Sequence, residues 1–274
     1  MPKKVAIQGI KGSFHDQVVE QYFSVPPQRL ECSTFDELAQ SIDSGKCDLG
    51  VMAIENSIAG SILPNYALLD QYELVITGEH FLRIEHNLMA LPGQKIHDIE
   101  EVHSHPMALL QCKKFFRKHP HIKLVESHDT AEEAYKIGAQ KWTSKAAIAS
   151  VRAAEIYGLE ILNPSIQTIK NNVTRFIILQ KKEEDKKNKV NKAAWKFVLD
   201  HKRGSLATAL NVVSDCNLNL TKIQSLPVIE TPGKYAFFVD VTFDALSDYQ
   251  KAKSLLEIMA TSFKVLGEYP AGKL

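Results

Sequence analysis

The sequence predicts an α/β protein in two parts: a larger region of mostly parallel strands covered by helices, then a smaller module of order βαββαβ. Three observations carry this prediction. Leu49-Gly50-Val51-Met52-Ala53-Ile54 is a near-continuous apolar run, as expected of a strand buried on both faces. Strand-like runs alternate with helices of about ten residues as far as residue 180, the rhythm of parallel sheets with helices on both faces. Finally, Lys181 to Lys189 is a charged stretch with no apolar residue, which reads as an exposed linker before a new pattern begins.

At 274 residues the chain is long enough for two domains, with ample burial and no need of staples. Its 45% hydrophobic and 24% charged residues are ordinary for a soluble globular protein. A net charge of +1 argues against a broad nucleic-acid or anionic-membrane surface. Cys32, Cys47, Cys112 and Cys216 lack CxxC spacing and read as free thiols of a reducing compartment. Met1-Pro2-Lys3-Lys4 leads into Val5-Ala6-Ile7 with no signal-type apolar core, and no apolar run nears the ~20 residues of a membrane span. A cytoplasmic location is expected.

The first strand, Val5-Ala6-Ile7, ends in Gln8-Gly9-Ile10-Lys11-Gly12-Ser13-Phe14, and a helix is expected from Asp16 to Phe23. Strand, glycine turn and helix start offer backbone N–H groups to an anion, or simply a tight turn; the spacing is not that of a dinucleotide site. Phe35 to Ile42 is amphipathic and opened by Ser33 or Thr34 as cap. The buried strand at Leu49 stops at Glu55-Asn56-Ser57-Ile58-Ala59-Gly60-Ser61, and polar groups at the carboxyl end of such a strand are where open α/β sheets bind ligands.

Glu79 to Leu91 reads as a strand pair. Val102 leads to His103-Ser104-His105-Pro106, where Ser104 is the expected N-cap and Pro106 the first turn of a helix reaching about Lys118. Leu124-Val125-Glu126, a helix opened by Asp129 or Thr130, and Ala146-Ala147-Ile148-Ala149 repeat the rhythm, and Gly158 closes a helix from Val151 to Tyr157. Asn171-Asn172-Val173-Thr174-Arg175-Phe176-Ile177-Ile178-Leu179 then runs from a polar turn into a β-branched strand. Thr174 and Arg175 should sit at its mouth. A forked guanidinium beside a hydroxyl suits a small dianionic acid. After the linker, strands at Trp195, Leu218, Tyr235 and Phe263 and helices at Gly204 and Lys251 make up the ferredoxin-like βαββαβ order. His103/His105 and His119/His121 lack a Glu or Cys that would complete a metal pattern.

Four stretches together resemble prephenate dehydratase with a C-terminal ACT regulatory domain: Gly9 to Phe14, Glu55-Asn56-Ser57…Gly60, Ser104-His105-Pro106…Gln111-Cys112, and Asn172-Val173-Thr174-Arg175-Phe176. The last is similar to the family's Thr-Arg-Phe signature, and the likeness covers almost the whole chain. It implies a catalytic domain over 1–181 built like a type II periplasmic binding protein, with lobe one at 1–78 plus 160–181 and lobe two at 79–159. A linker at 182–192 and an ACT domain at 193–274 would follow. The implied catalytic residues are Thr174, Arg175, Asn56, Ser104 and Gln111, with Gly12, Ser13, Glu55, Ser57, Thr130 and Phe176 binding substrate. The implied substrate is prephenate, and the reaction requires no cofactor or metal. Arogenate dehydratase, or a non-catalytic aromatic or amino-acid sensor, are the competing readings.

Gly204, Ser205, Leu206, Asn217, Gln224, Ser225, Leu226 and Pro227 would form a site for an L-phenylalanine effector, and the module implies a homodimer or homotetramer. The sequence departs from the family at His15, usually Ser or Thr, and at Met107, usually Gln. In the effector segment, Gln224-Ser225-Leu226-Pro227 stands where Glu-Ser-Arg-Pro is usual, and Gly204-Ser205-Leu206 replaces Gly-Ala-Leu.

Overall fold

The computed structural model describes residues 3–182, 190–228 and 231–273. Most of the expected linker, 183–189, lies outside the described residues. The chain opens with β1 (Lys4–Gln8), α1 (Phe14–Tyr22), β2 (Gln28–Cys32), α2 (Phe35–Asp43), β3 (Leu49–Asn56), β4 (Gly60–Ser61), α3 (Leu63–Gln71) and β5 (Leu74–Arg83). It continues through β6 (Asn87–Ala90), β7 (Glu101–Ser104), α4 (Pro106–Phe116), β8 (Lys123–Glu126), α5 (Thr130–Gln140), β9 (Lys145–Ala149), α6 (Val151–Tyr157), β10 (Glu160–Asn163) and β11 (Val173–Lys181). The last elements are β12 (Lys192–Val198), α7 (Ser205–Asp215), β13 (Asn219–Pro227), β14 (Tyr235–Thr242), α8 (Leu246–Met259) and β15 (Ser262–Tyr269).

Two compact units result, Met1–Ile62 with His80–Phe176 and Leu63–Glu79 with Ile177–Leu274, and the boundary passes within β5 and β11. In the first unit β2, β1 and β3 are parallel neighbours, and Val5, Ile7, Val51 and Met52 are fully buried. Its second sheet has the order β10-β6-β9-β7-β8. Only half of that sheet is parallel: β7 runs with β8 and β9, whereas β6 opposes both β9 and β10. The expectation of largely parallel sheets thus fails here, because an apolar run reports burial on both faces and says nothing of direction. β10 also pairs with β6, so residues from 160 onward start in this second sheet and not in lobe one.

Several element ends follow from caps. Ser13 accepts the Asp16 N–H and starts α1 at Phe14, two residues before the expected Asp16. Thr34 caps α2, and Asp129 caps α5 through two backbone N–H groups. Gly158, at φ 64, closes α6. The cap of α4 is His105, whose Nδ1 accepts the Met107 N–H, not Ser104. Pro106 occupies the first helical position, so the cap must be the residue directly before it.

The second unit has four antiparallel strands in the order β13-β14-β12-β15, with α7 and α8. Trp195, Phe197, Val239, Val241, Tyr249 and Leu256 anchor its core. α3 and the first part of β5 group here for visible reasons. Tyr66 packs edge-on against Phe238 at 5.1 Å, and Asp70 pairs with Lys196 and Lys264. Buried Glu79 holds Lys192 at 2.9 Å and accepts the Gly272 N–H.

Candidate active site

A cavity of about 540 Å³ lies wholly in the first unit. The segment leading into α1 provides Gln8, Ser13, Phe14 and His15, and the start of α2 adds Thr34 and Phe35. β3 presents Ala53 and Asn56, β11 presents Thr174 and Phe176, and His86 stands next to β6. From the second sheet's helices come His105, Met107, Ala108 and Gln111 of α4 and its cap, and His128, Asp129 and Thr130 at the start of α5. Strand carboxyl ends and helix starts thus converge, as open α/β sheets arrange their ligand sites.

The polar wall is a chain of hydrogen bonds whose directions can be read from one end. Asn56 Oδ1 accepts the N–H groups of Ile58 at 3.0 Å and Ala59 at 2.9 Å, so the orientation of its amide is set by backbone. Its Nδ2 therefore donates, to Thr174 Oγ1 at 2.9 Å and to Asn172 Oδ1 at 2.7 Å. Asn172 Nδ2 in turn donates to Gln111 Oε1 at 2.8 Å, and the same oxygen lies 2.9 Å from His86 Nε2. An oxygen can only accept, so His86 carries its hydrogen on Nε2.

On this hydrogen-bond chain two groups keep hydrogens to donate to a ligand. Thr174 Oγ1 is already an acceptor, which leaves its O–H free to point at a bound group, and Gln111 keeps both hydrogens of Nε2. Burial lowers the His86 pKa to about 4 and that of His15 to about 3, so both rings are neutral near pH 7. His15 Nε2 accepts the Ala53 N–H at 3.3 Å, and its ring meets Phe176 edge-on at 4.9 Å.

Of the residues expected at the site, Thr174, Asn56, Gln111, Ser13, Thr130 and Phe176 line this cavity. Arg175, Ser104, Gly12, Glu55 and Ser57 do not. Successive side chains of a strand face opposite ways, so with Thr174 and Phe176 facing the cavity Arg175 is turned to the other face of β11, where it is 6% exposed. A carboxylate clamp by Arg175 is therefore not part of this wall. Ser104 is fully buried and donates to Ile148 O at 2.7 Å, tying β7 to β9. Gly12 O accepts Ser150 Oγ at 2.7 Å, and a Cβ there would come within 3.1 Å of Ala153 Cα. Ser57 fastens the start of β11, its N–H donating to Val173 O and its Oγ accepting the Val173 N–H. Glu55 pairs in register with Ser61 on β4.

Sequence reasoning missed Asn172 and His86 as members of the wall. Asn172 was legible as a polar residue at a strand mouth; His86, a lone histidine between two strands, carries no local signal. In the second unit Gly204 caps α7 and Ser205 begins it, while Leu206 packs on that unit's core. Asn217, at φ 58, ends the turn after α7, and Gln224, Ser225, Leu226 and Pro227 finish β13.

The model of the prephenate dehydratase family matches residues 5–184, more than half of the chain. The chain belongs to this family. "Arogenate dehydratase/prephenate dehydratase 2, chloroplastic" of Arabidopsis thaliana is 36% identical over 280 residues, covering 97% of this chain and 72% of that protein. A structure described as GqqA, a novel type of quorum-quenching acylase, superimposes with a TM-score of 0.88 at 28% identity over 98% of both chains. Prephenate dehydratase of Arthrobacter aurescens, solved in complex with L-Phe, gives 0.84 at 25% identity, over 97% of this chain and 90% of that one. In this family member both departures noted in the sequence, His15 and Met107, line the cavity.

Proposed function

We propose that the chain converts prephenate to phenylpyruvate, CO2 and water, a step toward L-phenylalanine. The observation that carries the reading is Thr174, whose O–H is left free because its oxygen already accepts from Asn56. In the reaction the bond to the ring carboxylate breaks and its electron pair enters the ring. The 4-hydroxyl leaves and takes up a proton as water, with aromatisation as the driving force. Thr174 donates to the departing oxygen, as donor or relay, and Gln111 Nε2 supplies a second hydrogen bond. Proton help of this kind contributes ~10²–10⁴-fold, and fixed donors aimed at developing charge ~10²–10³-fold. Phe14, Phe35, Met107 and Phe176 give the ring an apolar wall, while Ser13 and Thr130 offer hydroxyls to its polar groups.

On this reading residues 1–181 form the catalytic domain, arranged in two lobes like a type II periplasmic binding protein, and 193–274 form an ACT module. The βαββαβ order and the L-Phe complex of the Arthrobacter relative support an effector role for that module. Gln224 and Leu226, in place of a carboxylate and a guanidinium, should leave phenylalanine control weak. Pairing of such modules would assemble a homodimer or homotetramer, and a cytoplasmic enzyme is the setting proposed.

Acyl transfer, suggested by the name of the GqqA structure, calls for an activated nucleophile. Here the Ser13 and Thr174 hydroxyls bond to the Asp16 N–H and the Asn56 amide, neither of which is a base. Purified protein given prephenate should form phenylpyruvate, followed by its alkaline absorbance. No product from prephenate or from its amino counterpart arogenate would end the dehydratase reading in favour of a non-catalytic sensor.

A further inference from the structure

The hydrogen-bond chain from Thr174 to His86 does not include the carboxylate that lines the cavity, Asp129. Asp129 Oδ1 caps α5, accepting the N–H groups of Ala131 at 2.8 Å and Glu132 at 2.9 Å. Oδ2 accepts no hydrogen bond among the described residues. It is directed at Gly9, where an added Cβ would lie only 2.8 Å from it and 3.3 Å from Ser13 Cβ. Gly9, at φ 86, is thus the residue that lets a carboxylate from the second sheet's helix come up to the first strand's turn.

Among the described residues lining the cavity, Asp129 is the one carboxylate, and there is no Lys or Arg. Burial pushes its pKa up, against the two backbone N–H bonds that lower it. Neighbouring His105 is lowered by burial and so offers little positive charge near pH 7. A half-satisfied carboxylate in such a place gains most from a cation that brings its own hydrogen-bond donors.

We infer that Asp129 reads the side chain of the substrate: its free Oδ2 receives an α-ammonium group, so that the cavity takes arogenate as well as prephenate and favours the ammonium form at this position. The inference rests on the dehydratase reading and deepens it. The two substrates differ only in an amine for a keto group. An ammonium would make a charge-assisted bond with Oδ2, whereas a keto oxygen would face it as one acceptor against another.

The test is kcat/KM for arogenate and for prephenate, measured side by side on the full chain, on Asp129→Asn and on Asp129→Ser. Both variants keep a capping oxygen for α5, and thermal unfolding of each checks the fold. The arogenate-to-prephenate ratio should fall by about 10–100-fold in both. A wild-type protein that turns over prephenate but not arogenate, or a ratio that stays within about twofold in folded variants, would overturn the inference while leaving the dehydratase reading intact. Turnover of neither substrate would overturn both.

Discussion

Replacing Thr174 by Val removes one oxygen from the cavity wall and little else, since the two side chains are nearly the same shape. Two losses follow. The first is catalytic: the only hydroxyl hydrogen on this polar chain disappears, and turnover should drop by about 10²–10³-fold, the size expected for a single fixed donor at developing charge. The second is structural. Asn56 Nδ2 loses its 2.9 Å acceptor, and Asn56 cannot turn away because its oxygen is held by the Ile58 and Ala59 N–H groups. The hydrogen donated there keeps only a long contact to Val173 O at 3.5 Å, and a part-buried donor so weakly paired costs about 1 kcal/mol, so the variant should stay folded but melt a few degrees lower. Thr174→Ser keeps the hydroxyl and should retain most of the turnover. The assay is phenylpyruvate formation at saturating prephenate, paired with substrate binding by calorimetry. Turnover of the Val variant above about a tenth of wild type, or an equal loss in the Ser variant, would refute the role assigned to the hydroxyl.

Other outcomes can be stated more briefly. Because His15 and His86 titrate at about 3 and 4, neither should leave a limb in the rate profile from pH 6 to 8; a limb near pH 6.5 that vanishes in His86→Gln would contradict the neutral wall. Asn172→Ala removes the link between Asn56 and Gln111, and kcat should fall by about 10-fold or more with KM less affected, as single-turnover rates would register. Asp16 is fully buried, and although burial alone would raise its pKa, hydrogen bonding and charge from Arg152, with Gly12 N–H and Arg29, hold it below the ordinary value. Its folded pKa lies below the unfolded one, so its stabilisation is present above about pH 4 and is lost as pH falls through the folded value. Asp16→Asn should cost about 3 kcal/mol at pH 7 and flatten the acid limb of the unfolding midpoint; an unchanged limb would sink this account. Phenylalanine should inhibit weakly, and strong inhibition at micromolar phenylalanine would show that Gln224 and Leu226 still form an effector site.

Local chemistry made much of the molecule legible before any coordinates. Thr34, Asp129 and Gly158 mark helix ends because a cap is a bond between near neighbours, and the apolar run of β3 announces its burial directly. Thr174 and Asn56 could be picked out by type and by their place at strand ends, and Gln111 by the stretch that resembles the family. What the residues could not reveal is which way they face and whom they meet. The sense of β6 and the face taken by Arg175 depend on pairing and pleat, which composition does not encode. Ser104, polar and beside a helix start, satisfies Ile148 instead of the cavity. Asn56 and Asn172 lie 116 positions apart and His86 and Gln111 25, so the wall that leaves the Thr174 hydrogen free exists only once the first sheet and α4 are folded together. The identities of the reacting groups are written along the chain; the direction of each hydrogen bond belongs to the tertiary structure, because a donor is free only when every other donor near it has been placed.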